Sequence, residues 1–221
     1  MTFWSALTDL GDSGFLANFA LGVTLWLAIR PPLRPAAVWV LAFGAATFMV
    51  IATKLAFLGW GIGIHALDFT GISGHSMLSA AIFPILAFLV SSAASRPVRV
   101  GCVLLACLLA TAIGFSRLVL QVHSPAEVAV GLGLGFAVAF TVIAVAPLVD
   151  RSRHRLLAPA LLGAMLLFGF GSYGERAPSE GWLAVVAVRL SGHAQPYSRT
   201  VWRSQWAART AVSQWRAIPA T

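Results

Sequence analysis

The chain has 221 residues, 59% of them hydrophobic and 10% charged, with a mean hydropathy of +0.86. Soluble domains carry about 25% charged residues, so the composition excludes a soluble globular protein and indicates an integral membrane one. The net charge of +8, from 15 Lys+Arg against 7 Asp+Glu, falls partly in short links between apolar runs; this speaks against nucleic acid and for an anionic lipid surface or anionic substrate.

The N-terminal stretch, Met1 to Gly14, holds Asp9 and Asp12 and no cation, unlike a signal peptide, so the first apolar run is expected to be retained. Six membrane helices are predicted from the apolar runs. The first, 13–29, is short and stops at Arg30-Pro-Pro-Leu-Arg34, where the prolines cannot continue it. The second, 36–58, carries Lys54 near its end, and the third, 74–94, follows a polar turn. The fourth, 100–116, comes after the link Ser95-Arg-Pro-Val-Arg99; the fifth and sixth span 125–149 and 156–173. The fold class is therefore an all-α polytopic bundle of six transmembrane helices in one domain, 1–173. Cys102 and Cys107 lie five apart within one run and read as small buried hydrophobes.

Arginines set the orientation. The links after helices one, three and five hold Arg30 and Arg34, Arg96 and Arg99, and Arg151, Arg153 and Arg155, which assigns them to the cytoplasmic side. The links after helices two and four, which carry the histidines, then face outward, together with both termini. The tail, 174–221, mixes Arg176, Arg189, Arg199, Arg203, Arg209 and Arg216 with Trp182, Trp202, Trp206 and Trp215. Such a segment either lies in the headgroup layer or is loosely ordered.

Lys54, His75, Arg117 and His123 all sit where the two outward links meet the membrane, and ionisable groups at that depth are costly. Each has a structural reading: Lys54 and Arg117 as interfacial anchors, His75 as a capping or packing histidine. In the turn Asp68-Phe-Thr-Gly-Ile-Ser-Gly-His75, Ser73 is a good helix N-cap and Gly74 permits close backbone approach to a ligand. Asp68 is expected to cap the turn ahead of Thr70 and Gly71. In Ser124-Pro-Ala-Glu127 the spacing is that of a capping box, so Glu127 has two readings, as backbone partner of Ser124 or as the carboxylate that orients His123. Together the cations and helix-start N–H groups suit phosphate oxygens. Two histidines can divide nucleophilic attack on phosphorus from protonation of the leaving oxygen.

At these residues the sequence resembles the type 2 phosphatidic acid phosphatase superfamily, which includes the vanadium haloperoxidases. Its motifs are Lys-x6-Arg-Pro, Pro-Ser-Gly-His and Ser-Arg-x5-His-x3-Asp. The second stands here as Ile72-Ser73-Gly74-His75, the third as Ser116-Arg117, His123 and Glu127 in place of Asp. The first retains Lys54 but has Gly61-Ile62 where Arg-Pro is expected. The resemblance implies His123 as nucleophile, His75 as general acid, Glu127 orienting His123, and Lys54, Ser73, the Gly74 N–H and Arg117 holding phosphoryl oxygens, with no metal or cofactor. To compensate for the missing arginine, the sequence offers the N–H groups of Gly59–Gly63, His65 or Arg176.

The expected activity is hydrolysis of the phosphate or diphosphate monoester of a lipid through a phosphohistidine, at the outer face of a bacterial inner membrane. Phosphatidic acid, phosphatidylglycerophosphate and undecaprenyl diphosphate are the candidate substrates that the resemblance implies. The partners are a lipid phosphate and the bilayer, without nucleic acid. The rival reading is a catalytically weak or inactive relative that binds or moves phospholipids.

Overall fold

The computed structural model describes residues 2–29, 31–146, 162–163, 167 and 179–216, with the side chains of 208–216 excluded. Among these residues the chain is helical, with an isolated bridge between Ile64 and Phe69. Helix α1 spans Phe3–Asp9 and α2 Ser13–Ala28; α3 spans Arg34–Trp60, α4 Gly74–Val90, α5 Arg96–Val119 and α6 Pro125–Val145. Two further helices, α7 (Ser179–Ser191) and α8 (Arg199–Arg216), come from the Arg/Trp-rich segment. Among the described residues, four stretches are long and apolar enough to cross a membrane: Phe3–Ala28, Arg34–Trp60, Arg96–Val119 and Pro125–Val145. At 17 residues, α4 is apolar but shorter. The predicted span 156–173 lies, apart from Leu162, Gly163 and Leu167, outside the described residues.

Several predicted boundaries move for identifiable reasons. Helix α5 begins at Arg96, four residues early, because Pro97 falls in its first turn, where a missing N–H costs nothing. Helix α6 stops at Val145, short of the predicted 149, because the residue preceding Pro147 is pushed out of the helical region; Ala146 is extended, at φ −76° and ψ 125°. Helix α4 ends at Val90 before Ser91, short of 94. At its end α3 closes on Gly61, left-handed at φ 67°, whose N–H returns to the Phe57 carbonyl at 2.8 Å.

Helix α4 is the centre of the bundle, packed on α6 and α5 and touched by α2 and α3. Its Met77, Ala80, Ala81, Ile82 and Ile85 are buried, with Leu16, Phe19, Val23 and Trp26 from α2 and Trp39 and Val50 from α3. Outward, Leu104, Leu105, Leu108 and Phe115 of α5 and Leu41 and Phe48 of α3 are exposed, as lipid-facing side chains are. Trp39 Nε1 donates to Thr24 Oγ1 at 2.9 Å, a polar tie between α2 and α3.

The contact between α4 and α6 decides the geometry of the site. Gly131 and Gly135, four apart, face the α4 backbone; a Cβ added there would stand 2.7 Å from the Ser73 carbonyl oxygen and 2.3 Å from that of Met77. Small residues at this spacing let two helix backbones touch. A Cβ added at Gly133, on another face of α6, would meet nothing within 4 Å among the described residues outside its own stretch of helix. We expect Gly135→Ala to lose about 1–3 kcal/mol through overpacking, and Gly133→Ala to lose nothing, compared by thermal unfolding in one detergent.

Candidate active site

The described site residues converge at one end of the bundle, because antiparallel helices bring the end of α3, the start of α4, the end of α5 and the start of α6 together. A cavity of about 290 Å³ opens there. Its polar lining includes Lys54, Thr70, Arg117, His123, Glu180 and Arg199; Phe57, Leu58, Val122 and Leu183 supply apolar wall.

Glu127 lies behind His123 and is fully buried. It makes the contacts that both sequence readings of it require. Its Oε2 accepts from the Ser124 N–H at 3.1 Å while its own N–H donates to Ser124 Oγ at 3.3 Å, completing the capping box. The same Oε2 takes His123 Nδ1–H at 2.6 Å, which fixes the tautomer and leaves Nε2 as the lone-pair nitrogen of the neutral ring. Oε1 accepts from the Thr70 N–H at 2.6 Å and Thr70 Oγ1 at 2.7 Å, and Arg199 Nη2 lies 2.5 Å from Oε1 and 2.6 Å from Oε2. Burial pushes the pKa of His123 below its ordinary value; the bond to Glu127 opposes that shift, and the charges of Lys54 and Arg117 add to it.

The turn before α4 is tied to the same carboxylate helix. The Ser73 N–H donates to the Glu127 carbonyl at 3.2 Å. Ser73 stands at the N-cap position as expected, but makes no side-chain cap bond. Its hydroxyl is fully buried and accepts from Ser76 Oγ at 2.9 Å. Gly74 is not required by packing: among the described residues outside its own helix, an added Cβ would meet only Val50 Cγ1, at 3.7 Å. His75 falls in the first turn of α4, with Nε2 3.9 Å from Asp12 Oδ2, and is not among the cavity-lining residues. Gly71 does line the cavity, at φ 153° and so close to Lys54 that a Cβ would stand 3.1 Å from its Cγ. Arg117 Nη1 donates to Thr8 Oγ1 at 2.9 Å, bringing the N-terminal helix to the site.

Asp68 does not cap its turn through the side chain. It is left-handed at φ 48°, and Arg203 takes the carboxylate with a two-pronged contact, Nε–Oδ1 at 2.9 Å and Nη2 to Oδ2. That contact holds the Asp68 carboxyl below the usual range, against the effect of burial. Of the expected substitutes for the missing arginine, His65 stacks on Trp202 with ring centroids 3.6 Å apart and does not line the cavity, and Arg176 lies outside the described residues. The residues that sequence reading missed are Arg199 and Glu180. Glu180, 76% exposed, has Oε1 3.3 Å from Lys54 Nζ, and the Lys54 charge holds its carboxyl below the usual range. Both reach the site from far along the chain. The local signal was the interleaving of arginine with tryptophan, which also fits a membrane-surface segment.

Removing a buried carboxylate that five donors address strands charge on Arg199 and leaves Thr70 and Ser124 unsatisfied. Glu127→Ala is expected to cost about 3 kcal/mol of stability, whereas Glu180→Ala, at an exposed pair, should cost no more than about 1 kcal/mol, both read from unfolding midpoints.

The PAP2 superfamily model matches residues 63–151, which hold Ser73, His75, Arg117, His123 and Glu127. The chain is also 36% identical over 200 residues to an uncharacterised 22.5 kDa protein in the cps region of Klebsiella pneumoniae, covering 89% of this chain and 96% of that protein. No solved structure matches it. On the family match and the two motifs it covers, the chain belongs to the PAP2 superfamily.

Proposed function

We propose that this protein is a membrane phosphatase that releases phosphate from a lipid phosphate or diphosphate monoester through a phosphohistidine intermediate. Family membership implies phosphatase-type chemistry. The observation that carries the finer reading is the His123–Glu127 pair, Nδ1 to Oε2 at 2.6 Å, beside a cavity with Lys54 and Arg117 on its wall.

In this reading Lys54 and Arg117 hold the phosphoryl oxygens, with N–H groups at the start of α4, Gly74 among them, as further donors. His123 Nε2 attacks phosphorus, forming an N–P bond as the P–O bond to the alcohol or phosphate leaving group breaks. The growing positive charge on the imidazole is stabilised by Glu127 through Nδ1–H. His75 gives its proton to the leaving oxygen, and then accepts one from the water that cleaves the N–P bond. The bond of the Ser73 N–H to the Glu127 carbonyl, which ties the start of α4 to that of α6, supports this role for His75. The apolar wall formed by Phe57, Leu58, Val122 and Leu183 suits the acyl or prenyl portion of an amphiphile. The charge pattern of the links supports a cytoplasmic face opposite the site, and hence an outward-facing active site in a bacterial inner membrane.

Phosphate release by the purified protein from phosphatidic acid, phosphatidylglycerophosphate and undecaprenyl diphosphate tests the reading. Activity on at least one is expected, with loss of about a thousandfold or more in His123→Ala. A variant working at the wild-type rate would remove His123 as nucleophile, and a wild-type protein inert on all three would favour a lipid-binding role.

The pH profile gives an independent check. His123 must be neutral to attack, and burial lowers its pKa, so it stays neutral as pH falls past the ordinary value of about 6.5. The acid limb of kcat/KM should therefore lie below about pH 6.5. In Glu127→Gln the bond that opposes this shift weakens, so the limb should move further to the acid side as the rate falls.

A further inference from the structure

The family motifs account for two of the three cationic side chains that line the cavity, Lys54 and Arg117. The third is Arg199, at the start of α8 and outside every motif. We propose that Arg199 is a phosphate-binding residue of this site, delivered by the C-terminal segment to serve where position 61 lacks an arginine. The assignment rests on the phosphatase reading above and extends it.

The guanidinium is arranged to hold two anions. Its hydrogen bonds leave from one corner: Nη2 donates to Thr70 Oγ1 at 2.6 Å and to both oxygens of Glu127. Nη1 lies 3.7 Å from Asp68 Oδ2, beyond hydrogen-bond length. A guanidinium has five N–H donors in a rigid plane, and both of its two-pronged modes use Nη2, so Nη1 and Nε, on either side of it, can each offer only a single N–H bond to an oxygen in the cavity that Arg199 lines with Lys54, Arg117 and His123. The side chain is 20% exposed, within reach of a ligand, while the buried carboxylate fixes where it stands.

The backbone at position 61 explains how the arginine gets there. Tyr197 N–H donates to the Leu58 carbonyl at 2.9 Å, His193 Nδ1 to that of Gly59 at 2.8 Å, and Trp202 Nε1 to that of Gly61 at 3.0 Å. These bonds seat the segment around Arg199 on the end of α3. The Tyr197 ring fills the space that a side chain at 61 would enter: a Cβ on Gly61 would lie 2.9 Å from Tyr197 Cδ1 and Cε1. An arginine at 61 and Tyr197 in its present place exclude one another. The chain thus lacks a cation on α3 at the very point where the segment bearing Arg199 docks.

The test is equilibrium binding of inorganic phosphate to the purified full-length protein, followed by phosphorus NMR, in wild type, Arg199→Gln, Arg199→Lys and Arg203→Gln. Arg203 is the control, removing equal charge one turn later in α8, at the Asp68 contact outside the cavity. Loss of one charge-assisted phosphate contact predicts binding about tenfold to a hundredfold weaker in Arg199→Gln. Arg199→Lys should fall between that variant and wild type, because one ammonium cannot serve Glu127 and phosphate as a fork does, and Arg203→Gln should stay within about twofold of wild type. Wild-type binding in Arg199→Gln, an equal loss in Arg203→Gln, or no binding by the wild type would each overturn the assignment. Should Arg199→Gln fail to fold, Arg199→Lys decides: reduced binding supports the fork, and undiminished binding overturns it. Phosphate release from the lipid panel, measured on the same wild-type sample, separates the two claims. A protein with this binding pattern that releases no phosphate would end the hydrolytic reading and leave the phosphate site standing.

Discussion

Everything at the site end of this bundle answers to one buried carboxylate. Glu127 sits in the first turn of a membrane helix, fully shielded from solvent. A charge in that position is tolerable only if donors surround it. They come from the His123 loop, from Ser124 at the helix cap, from Thr70 in the turn before α4 and from Arg199 in the C-terminal segment. Satisfying the carboxylate therefore brings three separate pieces of chain to fixed positions. The physical demand that stabilises the fold is also the demand that aims the imidazole.

The segment beyond the main bundle completes this arrangement. It is held chiefly by backbone carbonyls of α3 that the helix itself cannot satisfy, since the last turn of any helix leaves carbonyls without intrahelical partners. Leu58, Gly59 and Gly61 present such groups, and Tyr197, His193 and Trp202 answer them. Trp202 is buried against Phe57 and His65, so the aromatic content of the segment serves packing at the protein surface as well as polarity matching. Arg203 on Asp68 adds a second tie, which explains why Asp68 is unavailable to cap its own turn.

Much of this was legible in the sequence, and the boundary is physical. Apolar runs announced α2 to α6 because lipid demands contiguous hydrophobicity, and the capping box at Ser124–Glu127 announced the start of α6 because its spacing is a local property of a helix turn. The pairing of His123 with Glu127 was legible for the same reason, four residues apart on one turn. Arg199 was not, since its partner lies 72 residues away and long-range pairs leave no periodic trace. Gly61 carried half of the information, as a missing side chain; the other half was Tyr197, and nothing local joins the two. The ends of α5 and α6 were misplaced because Pro97 and Pro147 have opposite effects according to whether they enter or leave a helix.

The seam between α4 and α6 carries a mechanical consequence. At Gly131 and Gly135 α6 presents no side chain to α4, and the Ser73 and Met77 carbonyls and the Ser76 and Ala80 Cβ atoms lie against it. Side-chain layers yield by switching rotamers; the glycines of α6 have none to switch. Helix α4, which carries His75, and α6, which follows directly on His123, are thereby held in close contact. The outward faces of α3 and α5, by contrast, carry exposed long side chains such as Leu41, Phe48, Leu104 and Leu108, which have rotamers to exchange.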